Sequence, residues 1–285
     1  MRPRALELTG LAGWSKNGGT SFFSTEFFVL PQARIAVLIS GDGFDYGATA
    51  LAEGLMLRAA MESGAIAALP AVIVPRIPAR AVSAPDAAPY LGFYGNATAP
   101  MHVLAEGDGT LSIRRWSAAG WTALQSGLRA RSDGYWWSDG RDDRCFRFET
   151  VLGHRYLIAR NLAPNRLYWG ELATSEWLAL VSEPLPPAWR ARVGSRWRLD
   201  NESPDSVEAR SGRSTFWEID ELAEFPGYVL LNNAQLLRVI SDDEAGMSVQ
   251  VPGNSGRDLL ELDMRTPGEL RSGSQIFKPV SPPPR

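Results

Sequence analysis

Trp14-Ser15-Lys16-Asn17-Gly18-Gly19-Thr20 is the stretch on which the reading of this 285-residue chain turns. It holds one of only two lysines; the other is Lys278, and all remaining side-chain cations are arginines. Lysine is a compact ammonium on a flexible stem, and arginine is a poor substitute where such a point charge is needed. Behind this glycine-rich stretch, Phe22 to Leu30 reads as a strand, Pro31-Gln32-Ala33 as a turn and Arg34 to Ser40 as a second strand. Phe22, Phe23, Phe27, Phe28, Val29 and Leu30 put apolar groups on both faces, the pattern of a strand buried on both sides. Residues 45–63 read as a helix. Ala48, Leu51, Ala52, Leu55 and Ala59 recur at helical spacing and Met56 widens the stripe. Arg58 and Glu62 lie outside that stripe, four apart, and are predicted to pair. Asp45 is the expected N-cap and Gly64 the expected left-handed residue past the C-terminus. Leu6 to Leu11 reads as the end of a preceding strand.

Beyond the helix, residues 67–87 are rich in Ala, Val and Pro, including Pro70, Pro75, Pro78 and Pro85, and read as a semi-rigid connector. Short strands at spacings near ten residues follow, punctuated by Gly and Asp; Glu106-Gly107-Asp108-Gly109 carries the Asp-Gly hairpin signal. Pro184 to Pro187 interrupts the series, and a second set of comparable length runs toward Ile276. The layout predicts a weak internal repeat of roughly 95 residues, two small barrels or sandwiches in tandem. The expected fold is therefore mainly β. A partial α+β segment of two or three antiparallel strands and a helix (1–66) is followed by the connector (67–87) and two small antiparallel β-barrels (88–183 and 184–281).

Lys16-Asn17-Gly18-Gly19-Thr20, the Phe-rich strand, Ile-Ala-Val-Leu-Ile-Ser (35–40) and the helix resemble the end of the transpeptidase-like catalytic domain. That domain is shared by class C β-lactamases, penicillin-binding proteins, D-aminopeptidases and related esterases. Lys16-Asn17-Gly18 is similar to the family's Lys-Thr-Gly element, with Asn in place of Thr. The resemblance implies that Lys16, Asn17 and Gly18 are catalytic-site residues. Lys16 would place a substrate carboxylate or polarise the site, and Thr20 and Ser21 would border the oxyanion site and the substrate. The tandem β units, with Gly92-Phe93-Tyr94 and the Asp108–Leu111 hairpin, resemble the lipocalin-like C-terminal barrels of D-aminopeptidases.

The family's nucleophile lies in Ser-x-x-Lys, and this chain has none: Gly13 stands three residues before Lys16 and Gln275 three before Lys278. Tyr94-Gly95-Asn96 matches a second family motif in type, but it follows Lys16 where the family order puts it before; it reads as a turn. If the resemblance holds, the chain begins inside the catalytic domain. A serine needs an adjacent base to remove its proton, so this chain alone is expected to turn over little or no substrate. The expected partners are a small-molecule or peptide substrate, held jointly with the absent catalytic portion, and a complementing N-terminal segment.

Composition narrows the alternatives. With 45% hydrophobic and 21% charged residues the chain is of the folded type. A net charge of −3 without a basic run argues against nucleic acid. No run of about 18 apolar residues marks a membrane span. A single cysteine, Cys145, excludes an internal disulfide framework, compatible with cytosol or with a disulfide-free bacterial periplasmic protein. Met1-Arg2-Pro3-Arg4 is not followed by an apolar core, so no signal peptide is expected. His102 and His154 lie in separate segments without carboxylates at ligand spacing; no metal or other cofactor is expected, and both read as satisfied barrel histidines. Asp139, Asp142 and Asp143 alternate with Arg141 and Arg144 and read as a solvated loop. Cys145 reads as a buried strand residue. Trp116, Trp121, Trp136, Trp137 and Trp169 read as core, with a ligand-gripping barrel mouth as the sharper option. Three functions stay open: the C-terminal part of a serine β-lactamase-like hydrolase, a non-catalytic β-barrel binding or interaction module, and a truncated product without activity.

Overall fold

A computed structural model describes residues 8–19, 23–42, 47–80, 86–96, 100–171, 176–203, 205–206, 215–222, 224–247 and 261–280. The chain is mainly β and divides into two compact units, Met1–Arg76 with Asn161–Gly170, and Ile77–Arg160 with Glu171–Arg285.

The first unit is built on an antiparallel sheet in the order β1 (Trp14–Gly19), β2 (Ser24–Leu30), β3 (Ile35–Gly41), backed by helix α1 (Ala48–Glu62). The turn between β2 and β3 closes with Arg34 N–H donating to the Pro31 carbonyl at 3.1 Å. The helix ends where expected. Gly64 takes φ +78°, and the Gly64 and Ala65 amides donate to the Met61 and Ala60 carbonyls at 3.0 and 2.8 Å. That pair of bonds is the Schellman pattern, which glycine adopts without steric cost. At the other end the N-cap residue is Gly47, not Asp45, which lies outside the described residues. Leu8 to Gly10 form a turn and not the strand read there.

Two sequence expectations are corrected here. The Phe-rich strand is buried on one face only. Phe28 and Leu30 pack under α1 with Ala52, Met56, Leu57 and Ala60, whereas Phe23 and Phe27 are exposed, and Phe22 lies outside the described residues. The helical stripe is also rotated from the expected one: Leu51 and Leu55 are about half exposed, at 50% and 48%, and Glu53 is buried in their stead. Periodicity alone favoured the leucines because a carboxylate is costly to bury. The Arg58–Glu62 pair forms on the exposed side as expected, Nε to Oε1 3.0 Å.

The second unit contains two closed eight-stranded antiparallel barrels. The first comprises β4 (Gly92–Gly95), β5 (Met101–Ala105), β6 (Leu111–Ser117), β7 (Gly120–Ala130), β8 (Trp136–Ser138), β9 (Arg144–Val151), β10 (His154–Leu162) and β12 (Glu176–Ala179). It closes through pairing of β4 with β12 and of β9 with β10. Between β10 and β12 the chain makes an extra hairpin through β11 (Trp169–Gly170), and residues 161–170 group with the first unit. The second barrel runs as a simple meander: β13 (Ser195–Leu199), β14 (Phe216–Glu221), β15 (Tyr228–Leu231), β16 (Gln235–Ser241), β17 (Glu244–Met247), β18 (Glu261–Asp263), β19 (Leu270–Ser272) and β20 (Gln275–Val280). It closes through β13 and β20.

Each barrel is led by a short helix that carries an aromatic into the core. In the first, Tyr90 of the 3-10 turn Ala88–Tyr90 stacks on Phe148, ring centroids 4.4 Å apart. In the second, Trp189 of α2 (Pro187–Arg190) is fully buried and its Nε1–H donates to the Ser241 carbonyl at 2.8 Å. Inward positions alternate with outward ones, as a pleated strand requires. Both interiors are filled: by Tyr94, Val103, Ile113, Leu128, Trp136 and Phe146 in the first, and by Trp197, Trp217, Ile219, Leu237, Leu270 and Phe277 in the second.

The barrels abut through Phe93, Trp116, Trp121 and Leu180 of one and Leu222, Phe225, Tyr228, Leu230 and Leu236 of the other. Trp116 Nε1–H donates to the Asn233 carbonyl at 3.1 Å, and Asn233 Nδ2 to the Ala118 carbonyl at 3.2 Å.

Candidate functional site

Lys16, Asn17 and Gly18 all lie on β1, an edge strand of the three-stranded sheet. Thr20 and Ser21, expected to border the oxyanion site, lie outside the described residues. Antiparallel register places Lys16 opposite Phe27, which is opposite Leu38; Trp14 opposite Val29 and Ala36; and Gly18 opposite Thr25 and Ser40. Directly opposed residues share a face, so one face of the sheet carries all nine.

That face is the uncovered one. Trp14 is 58%, Phe27 39% and Leu38 66% exposed, although each is large and apolar. Lys16 stands in the middle of this surface and makes no ion pair with any described residue, whereas Lys278 donates to Glu269 Oε1 at 2.7 Å. Asn17 points the other way, in register with Glu26. Beyond β3 no further strand pairs among the described residues, and its sequence, Ile-Ala-Val-Leu-Ile-Ser-Gly, has no charge or proline to guard the edge. Glycine at 18 leaves the backbone bare; a Cβ added there would meet nothing within 4 Å. The arrangement offers an unpaired ammonium on a strand that a substrate can approach. The same face carries the Thr25 and Ser40 hydroxyls, 3.2 Å apart, and the residues directly in register with Lys16, Phe27 and Leu38, bring no base.

The opposite face holds a polar cluster that the sequence reading missed. Glu53 on α1 is buried and accepts from Asn165 Nδ2 at 2.5 Å and from the Tyr168 hydroxyl at 3.2 Å. Burial pushes the Glu53 carboxyl above its usual range; Asn165 and Tyr168 pull it down, and the nearby Glu26 charge pushes it further up. Glu26, also buried, accepts from the Thr49 hydroxyl at 2.8 Å. A signal was present: Glu53 occupies the helical stripe it shares with Met56, Leu57 and Ala60. The donors sit in the 161–170 hairpin, too distant in sequence to be linked to it by spacing.

The remaining candidates fall into structural roles. Tyr94 and Gly95 end β4 and Asn96 follows directly after it, in place of the expected turn. Tyr94 is buried with its hydroxyl donating to the Tyr90 carbonyl at 2.8 Å, and Asn96 Nδ2 donates to the Glu176 carbonyl at 3.1 Å. Cys145 is buried, and burial pushes its thiol up to about 12, far from a nucleophile's range. His102 stacks on Phe93 at 3.9 Å between ring centroids, and burial lowers its pKa. His154 is exposed, against the expectation of a satisfied barrel residue. Asp139 pairs with Arg131, and Asp143 with Arg141 at 2.9 Å. No group of three or more metal-ligating side chains occurs among the described residues.

Of the tryptophans, Trp136 is core, Trp116 and Trp121 fill the joint between barrels, and Trp137 bonds Asp133 through Nε1 at 3.1 Å. Trp169 lies on β11, grouped with the first unit. They do not come together as a barrel mouth. No helix is long and apolar enough to cross a membrane among the described residues. The chain matches no protein-family profile, no curated protein and no solved structure.

Proposed function

We propose that this chain carries the closing strand–helix element and two accessory barrels of a serine β-lactamase-like hydrolase, with the nucleophile supplied by a Ser-x-x-Lys-bearing segment outside this sequence. The observation that carries the reading is the exposed apolar face of the β1–β3 sheet with Lys16, which forms no ion pair among the described residues, at its centre. The unguarded β3 edge and the exposed Leu51–Leu55 pair on α1 support it. They leave the first unit uncovered on further sides, as a partial domain would be.

In the assembled hydrolase a serine oxygen attacks the carbonyl carbon of a β-lactam, D-peptide or ester, the C–N or C–O bond breaks, and the leaving group takes up the proton. Water then hydrolyses the acyl-serine. Lys16 contributes the positive charge that orients a substrate carboxylate beside the reacting carbonyl. The substrate and the Ser-x-x-Lys segment are the partners, and no cofactor enters the chemistry.

The test is intact mass after incubation with a fluorophosphonate and with a penicillin. The chain alone is expected to stay unmodified, and a co-expressed upstream segment bearing Ser-x-x-Lys is expected to take the label only in its presence. An adduct on the chain itself, or no label in either sample, overturns the proposal. Lys16→Ala is expected to slow labelling by the penicillin, which has a carboxylate, more than labelling by the fluorophosphonate, which has none.

A further inference from the structure

The strand β3 ends the three-stranded sheet, and no described strand pairs with its outer edge. We propose that this edge is a self-association surface. There β3 of a second copy of the chain adds antiparallel, about a two-fold axis at Leu38, and joins the two sheets into one.

The edge is open in a way that an inner strand is not. None of the seven residues of β3 is buried, although Ile35 to Ile39 are all apolar. In an antiparallel ladder alternate residues direct their N–H and C=O away from the partner strand, so every second residue of β3 offers both groups away from β2. Strand addition draws affinity from such main-chain groups and specificity from the side chains beside them.

The sequence about Leu38 selects the partner. A two-fold there sets Leu38 against Leu38, Val37 against Ile39, Ala36 against Ser40 and Ile35 against Gly41. No charge falls within the paired segment. Arg34 and Asp42 stand just beyond it, four residues to either side of Leu38, one a cation and the other an anion. Both are exposed, and neither side chain forms an ion pair with a described residue. The two-fold brings each Arg34 to the partner's Asp42, an ion pair at each end of the new ladder. Parallel pairing in register would instead set Arg34 against Arg34 and Asp42 against Asp42, which repel. The charge pattern therefore fits an antiparallel copy of the same strand.

The exposed face agrees with this. Lys16, Phe27 and Leu38 lie in one row across the sheet. Joining two sheets at β3 makes the leucines meet in the middle of a doubled row and leaves the two ammonium groups at its far ends, about 24 Å apart. Lys16 is the only charge among the nine residues of that face, so no like charges are brought together on it. The contact is isologous: it uses up both β3 edges and closes at two copies. Strand β1 takes no part, so the dimer goes beyond the hydrolase reading without resting on it.

Sedimentation equilibrium of the full chain tests this. The apparent mass is expected to rise toward twice that of the chain as concentration passes through the micromolar range. Arg34→Asp and Asp42→Arg each set like charges opposite one another and are each expected to weaken association at least about tenfold. The double variant Arg34→Asp/Asp42→Arg is expected to restore it. Leu38→Cys places two thiols face to face at the axis, with Cα atoms about 4.5–5.5 Å apart, within disulfide reach. Oxidised glutathione is expected to convert this variant to a covalent dimer. Ala36→Cys, whose copies would stand more than about 13 Å apart, is expected to stay uncrosslinked. The natural Cys145 is buried and does not compete. A parent that stays monomeric, single variants that associate like the parent, or a double variant that fails to recover overturns the proposal. So does equal cross-linking at 36 and 38, or assembly beyond two copies. Loss of the dimer on co-expression of the Ser-x-x-Lys segment would assign the edge to that segment and overturn it too. Labelling of the serine is read independently of association, so the two proposals fail separately.

Discussion

The second barrel and the β1–β3 sheet are both antiparallel, both rich in aromatics, and opposite in how they end. The barrel closes β13 onto β20, fills its lumen and seals it with Trp189. Among the described residues the sheet has three strands, covers one face with α1 and leaves Trp14, Phe27 and Leu38 exposed. Closure satisfies every strand edge and buries every inward side chain. An open sheet with apolar groups on both faces satisfies neither condition by itself. The difference separates a part closed on itself from a part that leaves an apolar face open.

The largest effect that sharpens this contrast is expected at Trp189. Trp189→Ala removes a fully buried side chain and orphans the Ser241 carbonyl, and should cost about 3–5 kcal/mol of second-barrel stability. Urea unfolding followed by tryptophan fluorescence reads this loss. A cost below about 1 kcal/mol would mean that the barrel is not sealed by its leading helix.

Glu53 comes next. Glu53→Leu takes away the acceptor that the Asn165 amide and the Tyr168 hydroxyl share; both donors are half-buried, so the cost is expected near the lower end of about 1–3 kcal/mol. Hydrogen exchange of the α1 amides should accelerate accordingly. Glu53→Gln keeps an acceptor and removes the charge. Because folding raises the Glu53 pKa, the folded state holds its proton more tightly than the unfolded chain does. The associated stability is fully present below the unfolded pKa and is lost as pH rises through the folded value. Protection of α1 should therefore fall between those two values in the parent and stay flatter in Glu53→Gln. The groups facing Glu53 are Asn165 and Tyr168 from the hairpin and Glu26 from β2. A parent whose α1 protection rises with pH across that window would contradict this.

The smallest effect belongs to the open face. Leu38→Ser alters an exposed side chain and should shift stability by no more than about 0.5 kcal/mol. A large loss would show that the face is covered.

The barrels were legible in the sequence because strand spacing and turn chemistry are local: Glu106 to Gly109 makes its turn with Gly109 at φ +77°. The helix and its Gly64 stop were legible for the same reason. Which side of β2 would be covered was not. Alternation of Phe27 and Phe28 gives two apolar faces and no indication of which one has a partner. β7 runs unbroken from Gly120 to Ala130, with Gly127 accommodated inside it at φ +65°, a conformation that spacing does not reveal. Lys16 stands out in the sequence by rarity, and its place on the exposed face of β1 does not. The Glu53 cluster and the joint between the barrels bring together residues far apart in sequence, and only folding puts them side by side.

The seven residues of β3 have one more consequence, for the life of the chain in a cell. A flat, uncharged strand edge is a template on which any extended, apolar polypeptide can add the next rung, including another copy of itself. Unless that edge is occupied soon after synthesis, chaperones and proteases will compete with fibril growth for it. How long the protein survives would then depend less on the firmness of its barrels than on how quickly the outward-facing backbone groups of that strand find company.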